Sequence, residues 1–297
     1  MAVSAPPCPL CGSAAKLRFP ATAKHRMGAT AEFACTNVHA GDHGPVYWCA
    51  RCHLGFSLPP NSDQLLTLYE GVHDPSYLAE LDHRTQHAES IMRTIEQRHA
   101  PGRLLEIGSQ VGLLLHTAQQ RGWDAAGIEP SRWAVDTGRD RFGVKLTQGS
   151  LETSEYDRGS FDCIVMVDVL EHLIDPLAAL QRCHPWLAPG GILALSTINM
   201  DTIIARMLGT RWPGFMDMHL TYFTTKSLRE FLRRSNFEWI ADRPDSRSFS
   251  LGYFGGRLVN SGPLLRALGT VGSLPLLRNV RVTIPTRDLL LVLARPS

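Results

Sequence analysis

The side chains with the types and spacing for chemistry fall into a few sets. In one, two acids flank a glycine turn. Glu106 precedes Gly108 and Gly112, and Glu129 follows roughly 20 residues on. Glycine lets a backbone turn sharply and approach a ligand without a Cβ in the way. An acid that closes the next strand is where a ribose diol is held. This stretch is therefore expected to hold a nucleoside-containing cofactor. The dinucleotide pattern Gly-x-Gly-x-x-Gly fails here, because its second and third glycines would fall on Gln110 and Leu113.

A further set is two Cys-x-x-Cys pairs, Cys8 with Cys11 and Cys49 with Cys52. Each pair can put two thiolates on one side of a tight turn. Together they offer a tetrahedral sulfur site that suits zinc. A closed four-cysteine site has no open position for catalysis, so the ion is expected to be structural. It substitutes for a core that so short a segment cannot build. Cys35, His39 and His43 lie between the pairs, as a second ligand set or a substitute for one of the four. Asp168, Glu171 and His172 form another set, just after the apolar run Cys163–Val167, and His219 lies further on.

The elements that must carry these groups can be read from pattern. Arg103–Glu106 is a short strand, Leu113–Gln120 a helix ended by Gly122, and Trp123–Ile128 a second strand. Two parallel strands joined by a helix make a right-handed βαβ unit. Asp74 caps and Pro75 starts a helical pattern from Ser76 to His99, stopped by Pro101-Gly102. That helix is expected to cover the mouth of the cofactor pocket, with Tyr69 and Tyr77 facing the ligand or packing. Pro130–Arg141 reads as a helix and Val144–Thr147 as a strand. Cys163–Val167 is apolar throughout, as a central parallel strand buried on both faces requires. Asp175-Pro176 starts another helix, and Ile192–Thr197 is the next strand. Phe237–Ile240 and Asp288–Ala294 are the last two.

Hydrophobic residues make up 44% and charged residues 20% of the 297, enough for a sizeable core. The net charge of +2 is too balanced to argue for a nucleic-acid or membrane partner. The first residues, MAVSAPPCPLCGS, show no secretory pattern, and no apolar run is long enough to span a bilayer. A soluble cytoplasmic protein is the default expectation. Pro59-Pro60-Asn61-Ser62 reads as a boundary. The expected organisation is a zinc-ribbon module over 1–58, a linker and cap helices over 59–100, and the main domain over 101–297.

The acid-x-Gly turn resembles the first motif of class I S-adenosylmethionine-dependent methyltransferases, acid-x-Gly-x-Gly-x-Gly. Glu106, Gly108 and Gly112 match, and Gln110 stands where that family has its middle glycine. The segment Phe161–Asn199 resembles the family more closely, through Phe-Asp, Asp-x-Leu-Glu-His, Asp-Pro and Leu-x-Pro-Gly-Gly. His219, Leu220 and Phe223 resemble the His-Leu-x-x-Phe element of its small-molecule branch. The resemblance implies an α/β Rossmann-like sheet, mostly parallel with its last strand antiparallel and helices on both faces. It implies S-adenosyl-L-methionine as cofactor. Glu106 would then orient the methionine portion, Gly108, Gln110 and Gly112 would let the backbone pass close, and Glu129 would take the ribose hydroxyls. Ser150 and Leu151 would lie beside the adenine, and Asp168 beside the methionine moiety. The zinc module resembles the ribbons appended to some methyltransferases.

The expected reaction is O-methylation of a small molecule such as a saccharide or secondary metabolite. A hydroxyl acceptor must lose its proton, and an imidazole titrates near working pH, so His172 and then His219 are the candidate bases. Arg243, Arg247, Arg257, Arg266, Arg278 and Arg281 are opposed only by Asp245. They form a solvated face or receive an anionic, sugar-linked acceptor. An RNA methyltransferase that grips nucleic acid through the zinc module is the alternative. Few basic residues in 1–58, and no Asn-Pro-Pro-aromatic motif after Cys163–Val167, speak against it. A non-catalytic scaffold is the other alternative, kept open by Gln110.

Overall fold

The computed structural model describes residues 5–22, 33–36, 43–58, 62–245, 248–250, 270, 274, 281–283 and 287–297. His39, Arg247, Arg257, Arg266, Arg278, the Arg281 side chain and the Pro59–Asn61 boundary lie outside them.

Three strands, β1 (Lys16–Phe19), β2 (Val46–Cys49) and β3 (Leu54–Ser57), form an antiparallel meander beside the cysteine pairs. Helix α1 (Ser62–Glu70) follows. The helical pattern that begins at Pro75 is divided. Pro75–Glu80 is a 3-10 helix, and α2 (Leu81–Glu96) continues from it. The Asp74 side chain does not cap it, because both of its carboxylate oxygens bond Thr36 instead.

The core sheet begins with β4 (Arg103–Ile107), α3 (Leu113–Gln120) and β5 (Asp124–Glu129), the expected parallel unit. Next come α4 (Arg132–Phe142), capped by Ser131, then β6 (Lys145–Gln148) and β7 (Phe161–Val167). Helix α5 (Pro176–Trp186) is capped by Asp175 and has Pro176 in its first turn, where a missing N–H costs nothing. Strand β8 (Leu187–Ile198) starts earlier than its apolar run suggests, because Pro189-Gly190-Gly191 is carried inside it. Helix α6 (Ile203–Leu208), the two-residue β9 (Thr221–Tyr222) and α7 (Thr225–Arg234) lead to β10 (Phe237–Pro244). Strands β11 (Ser248–Ser250) and β12 (Arg281–Thr283) pair with each other, and β13 (Leu289–Pro296) closes the chain.

The seven-stranded sheet has the order β10-β13-β8-β7-β4-β5-β6. Strands β8 to β6 run parallel, and β13 is antiparallel to both of its neighbours. The architecture is the expected α/β Rossmann-like one, and the final strand has the expected direction. Leu105, Ile164, Met166, Leu193 and Leu195 pack on one side and Leu104, Cys163, Val165, Ile192 and Ala194 on the other. Strands buried on both faces read as unbroken apolar runs for that reason.

The N-terminal meander is not an isolated appendage. Strand β9 adds to its edge, with Gly55 opposite Tyr222 and Phe56 opposite Thr221. Cys8, Cys49, Leu54 and Phe56 share one buried cluster with Phe223, Leu228 and Phe231. The meander also sets where the segment just before β9 sits, since Ser57 N–H donates to Leu220 O at 2.9 Å.

Candidate functional site

The C-terminal ends of the parallel strands open into one cavity of about 1360 Å³. Ordinary ligand pockets measure roughly 300–1,000 Å³, so there is room for a cofactor and an acceptor together. Helix α2 forms part of its wall through His87, Ala88 and Ile91, and Tyr69 and Tyr77 both face it. Glu106, Gly108, Gln110, Glu129, Ser150, Leu151, Asp168, His172 and His219 all line it.

Gly112 does not. It adopts φ 73 at the start of α3, and a Cβ there would lie 2.7 Å from Val144 Cγ2. Its missing side chain serves the packing of helix on sheet. Gly108, at φ 71, is crowded by Val169, whose Cγ2 would be 2.5 Å from a Cβ. Between them Gln110 takes φ 50, the left-handed region that favours glycine. Two bonds hold it there. Its N–H donates to Glu129 Oε2 at 2.8 Å, and its own Oε1 accepts from Val111 N–H at 2.8 Å. The substitution at the family's middle glycine thus leaves the turn in a glycine-like conformation.

Glu129 is buried, and its Oε1 accepts from Ser131 N–H at 2.9 Å. Burial pushes its carboxyl up, against those two backbone bonds. Each oxygen keeps a lone pair for a ligand hydroxyl. Glu106 is buried too, and burial, followed by the charge of Glu129, pushes it well above the usual carboxylate range. Its Oε2 meets no hydrogen-bond partner among the described residues. A buried carboxylate oxygen left without a donor is costly, and the ammonium of an amino-acid ligand would satisfy it. These features fit the methionine and ribose portions of S-adenosylmethionine.

The same cavity is lined by Glu171, His172 and His219. The three offer ligand atoms within 4.8 Å of one another. The two rings meet edge to face at 4.7 Å between centroids. His172 Nδ1 lies 3.1 Å from Met218 O, and His219 Nδ1 lies 2.8 Å from Gly214 O. A carbonyl can only accept, so His219 Nδ1 carries its proton and His219 Nε2 keeps its lone pair, whereas His172 Nδ1 faces both a carbonyl and a hydroxyl. The Tyr69 hydroxyl sits 3.0 Å from His172 Nδ1. Burial, then the neighbouring His219, holds His172 well below the usual imidazole value, and burial lowers His219 as well. Both rings are therefore neutral near pH 7, as a base requires.

The sequence reading gave Glu171 no role, although it stands inside the Asp-x-Leu-Glu-His motif. Its carboxylate is fully buried and accepts from Thr197 Oγ1 at 2.8 Å. In the sequence Asp245 stands only as a counter-charge to the arginines around it. It is buried at the cavity wall, 2.8 Å from His87 Nε2 and 2.5 Å from Ser196 Oγ. No sequence signal marks it, since its partners come from distant elements. Arg243 is spent on α2, through Thr94 Oγ1 and Ser90, and offers no guanidinium to an anionic acceptor.

The four cysteine sulfurs of the predicted zinc site lie within 4.8 Å of one another, away from the cavity. Cys11 and Cys49 are 3.6 Å apart at sulfur, too far for a disulfide and close to the edge of a ZnS₄ tetrahedron. The residues fit zinc. Cys35 lines the cavity instead, and His43 packs on Phe215 with its Nδ1 on Gly44 O.

Residues 78–241, more than half of the chain, match the family described as Methyltransferase domain. The chain belongs to the S-adenosylmethionine-dependent methyltransferase family. It is 26% identical over 141 residues to a ubiquinone biosynthesis O-methyltransferase of Bradyrhizobium diazoefficiens, covering 46% of this chain and 51% of that one. It is 31% identical over 124 residues to the protein of the same name in Psychrobacter cryohalolentis, covering 37% and 46%. The chain spans about half the length of these curated relatives. Its fold is shared by a Thermotoga maritima structure described as a methyltransferase, possible histamine N-methyltransferase. The TM-score is 0.53 at 18% identity, covering 78% of this chain and 100% of that one. The [4+2]-cyclase SpnF shares it too, with TM-score 0.52 at 18% identity, covering 81% and 98%. A fold common to a methyltransferase and a cyclase does not name the acceptor. No helix among the described residues is long and apolar enough to cross a membrane.

Proposed function

We propose that the protein transfers a methyl group from S-adenosylmethionine to a hydroxyl of a small molecule with an apolar body. The observation that carries this reading is that one cavity holds both a ribose-binding acid on a glycine turn and a pair of neutral imidazoles. Phe33, Leu65, Val72, Met216 and Met218 supply the apolar wall near that pair. The cofactor, when bound, supplies an activated methyl on a sulfonium. The protein's own contribution is alignment and exclusion of water.

Glu129 accepts the ribose hydroxyls and Glu106 Oε2 the ammonium. Ser150 and Leu151 border the adenine, and Asp168 the methionine chain. Gly108 and Gln110 keep the turn close to the ligand, and Gly112 seats α3 beneath it. His172, with His219 beside it, takes the acceptor's proton at Nε2. Zinc held by Cys8, Cys11, Cys49 and Cys52 is structural and braces the meander. The glycine-like backbone of Gln110 supports a working cofactor turn over a scaffold that has lost one.

Calorimetry with S-adenosylmethionine, on the wild-type chain and Glu129→Ala, tests the cofactor half. The variant is expected to lose about 10- to 100-fold in affinity, the worth of a charge-assisted hydrogen bond. Labelled methyl transfer to a panel of phenols, alcohols and amines tests the acceptor half. Methylation confined to amines, or no cofactor binding by the wild-type chain at millimolar concentration, would overturn the reading.

A further inference from the structure

We infer that His87, held by Asp245 and Ser196, binds a second hydroxyl or N–H of the substrate, remote from the hydroxyl that is methylated. The inference rests on the methyltransferase reading and narrows the class of substrate to an apolar body with a hydrogen-bond donor at each end.

Asp245 directly follows β10, and its N–H donates to Leu289 O at 2.9 Å. Its buried carboxylate has one oxygen 2.8 Å from His87 Nε2 and the other 2.5 Å from Ser196 Oγ. A carboxylate only accepts, so His87 Nε2 carries a proton. Arg243 Nη1 lies 3.9 Å from the oxygen that His87 uses, so the charge of Asp245 is countered without a second proton on the ring. An imidazole held at one nitrogen in this way has its tautomer and its plane fixed, and the other nitrogen keeps its lone pair. His87 lines the cavity, and its Nδ1 meets no hydrogen-bond partner among the described residues. None of the cofactor contacts or proton transfers proposed above uses it.

Strand β8 relates this group to His172. Successive side chains of a strand point to opposite faces of the sheet. Ser196 continues the row of Ile192 and Ala194, which packs with Ala88 and Ile91 of α2, and Thr197 continues that of Leu193 and Leu195 on the other face. Ser196 bonds Asp245, the partner of His87, whereas Thr197 bonds Glu171, the chain neighbour of His172. The two imidazoles therefore flank the end of β8 from opposite faces, and both line the one cavity. A substrate whose hydroxyl is at His172 reaches over that strand end to His87. The strand end is also tied to the cofactor side, since Asp168 N–H donates to Ser196 O at 2.9 Å.

Aromatic diols of increasing length, from benzenediols to naphthalenediols and biphenyldiols, are the probes, each beside its monomethyl ether. The wild-type chain is expected to favour at least one diol over its ether by at least about tenfold in kcat/KM, mostly through KM, because an ether oxygen cannot donate to Nδ1. Asp245→Asn keeps a carbonyl oxygen for Ser196 and turns an amide N–H toward His87 Nε2, which moves the ring proton to Nδ1. A hydroxyl and an ether both accept from that N–H, so the ratio is expected near one, as in His87→Phe. ¹⁵N NMR of the histidine rings near pH 8 reads the tautomer, with the His87 signals identified by their loss in His87→Phe. The proton is expected on Nε2 in the wild-type chain and on Nδ1 in Asp245→Asn. The affinity for S-adenosylmethionine, read in the same variants, reports whether they fold. A ratio near one in the wild-type chain, a ratio unchanged in both folded variants, or a proton on Nδ1 in the wild-type chain overturns the inference. Transfer to none of the probes by a chain that binds cofactor also overturns it. Methylated hydroxyls with an unchanged ratio leave the methyltransferase reading standing, whereas failure to bind cofactor removes both.

Discussion

Gln110 donates its backbone N–H to Glu129 Oε2 at 2.8 Å from a left-handed conformation that few non-glycine residues adopt. The acid that is placed to grip the ribose therefore also clamps the turn that must approach the cofactor. The side chain of Gln110 adds a second restraint, through Oε1 and Val111 N–H.

Gln110→Ala keeps the conformational cost and removes that second bond, whereas Gln110→Gly removes both. The glycine variant is expected to be more stable than the alanine variant by about 1 kcal/mol. Thermal melts of the two variants beside the wild-type chain check this; equal melting points would show that the backbone at 110 is not strained.

The pH dependence of stability should carry the mark of Glu106. Burial and the charge of Glu129 raise its folded value, so the folded chain holds that proton more tightly than the unfolded one. The stabilisation is complete below the unfolded value, about 4.5, and is lost as the pH rises through the raised folded value. Glu106→Gln, which cannot ionise, is expected to match the wild-type chain near pH 4.5 and to exceed it at pH 8. Melting temperatures across that range, without cofactor, measure the gap. A constant difference between the two curves would mean that Glu106 does not titrate there.

Loss of zinc should reach the cavity, because the meander pairs with β9 and its buried cysteines share a cluster with Phe223 and Phe231. Chelation, or Cys49→Ser, is expected to cost about 4 kcal/mol, roughly 10 °C in melting temperature. Methyl transfer should fall further than cofactor affinity, since His219 precedes β9 while Glu129 lies on β5. Cofactor affinity that collapses in parallel would point to global unfolding instead.

Thr224 joins the same two regions. Its hydroxyl caps α7, in a reciprocal capping box with Ser227, and lies 2.8 Å from His53 O in the meander. Thr224→Ala is expected to destabilise the chain by about 1–2 kcal/mol. Urea unfolding is the measurement, and a loss under about 0.5 kcal/mol, the low end for a solvated helix cap, would rule out the joint role.

Local pattern was enough to place the glycine turn, the acids at 106 and 129, the run into Asp168 and His172, and the cysteine pairs. Each is a feature of one strand end or one turn, where side-chain periodicity and backbone freedom act over a few residues. The switch from 3-10 to α-helix after Glu80 was not legible, since one helical pattern covers both. Residue types along the chain set the parallel core, and the antiparallel last strand was implied by the family resemblance. Only the folded chain decided that β9 completes the N-terminal sheet, that His219 meets His172, that Thr197 aims Glu171, and that Arg243 is spent on α2. Those pairings join residues far apart in sequence. They depend on how sheet, meander and helices pack together, and no local propensity encodes that.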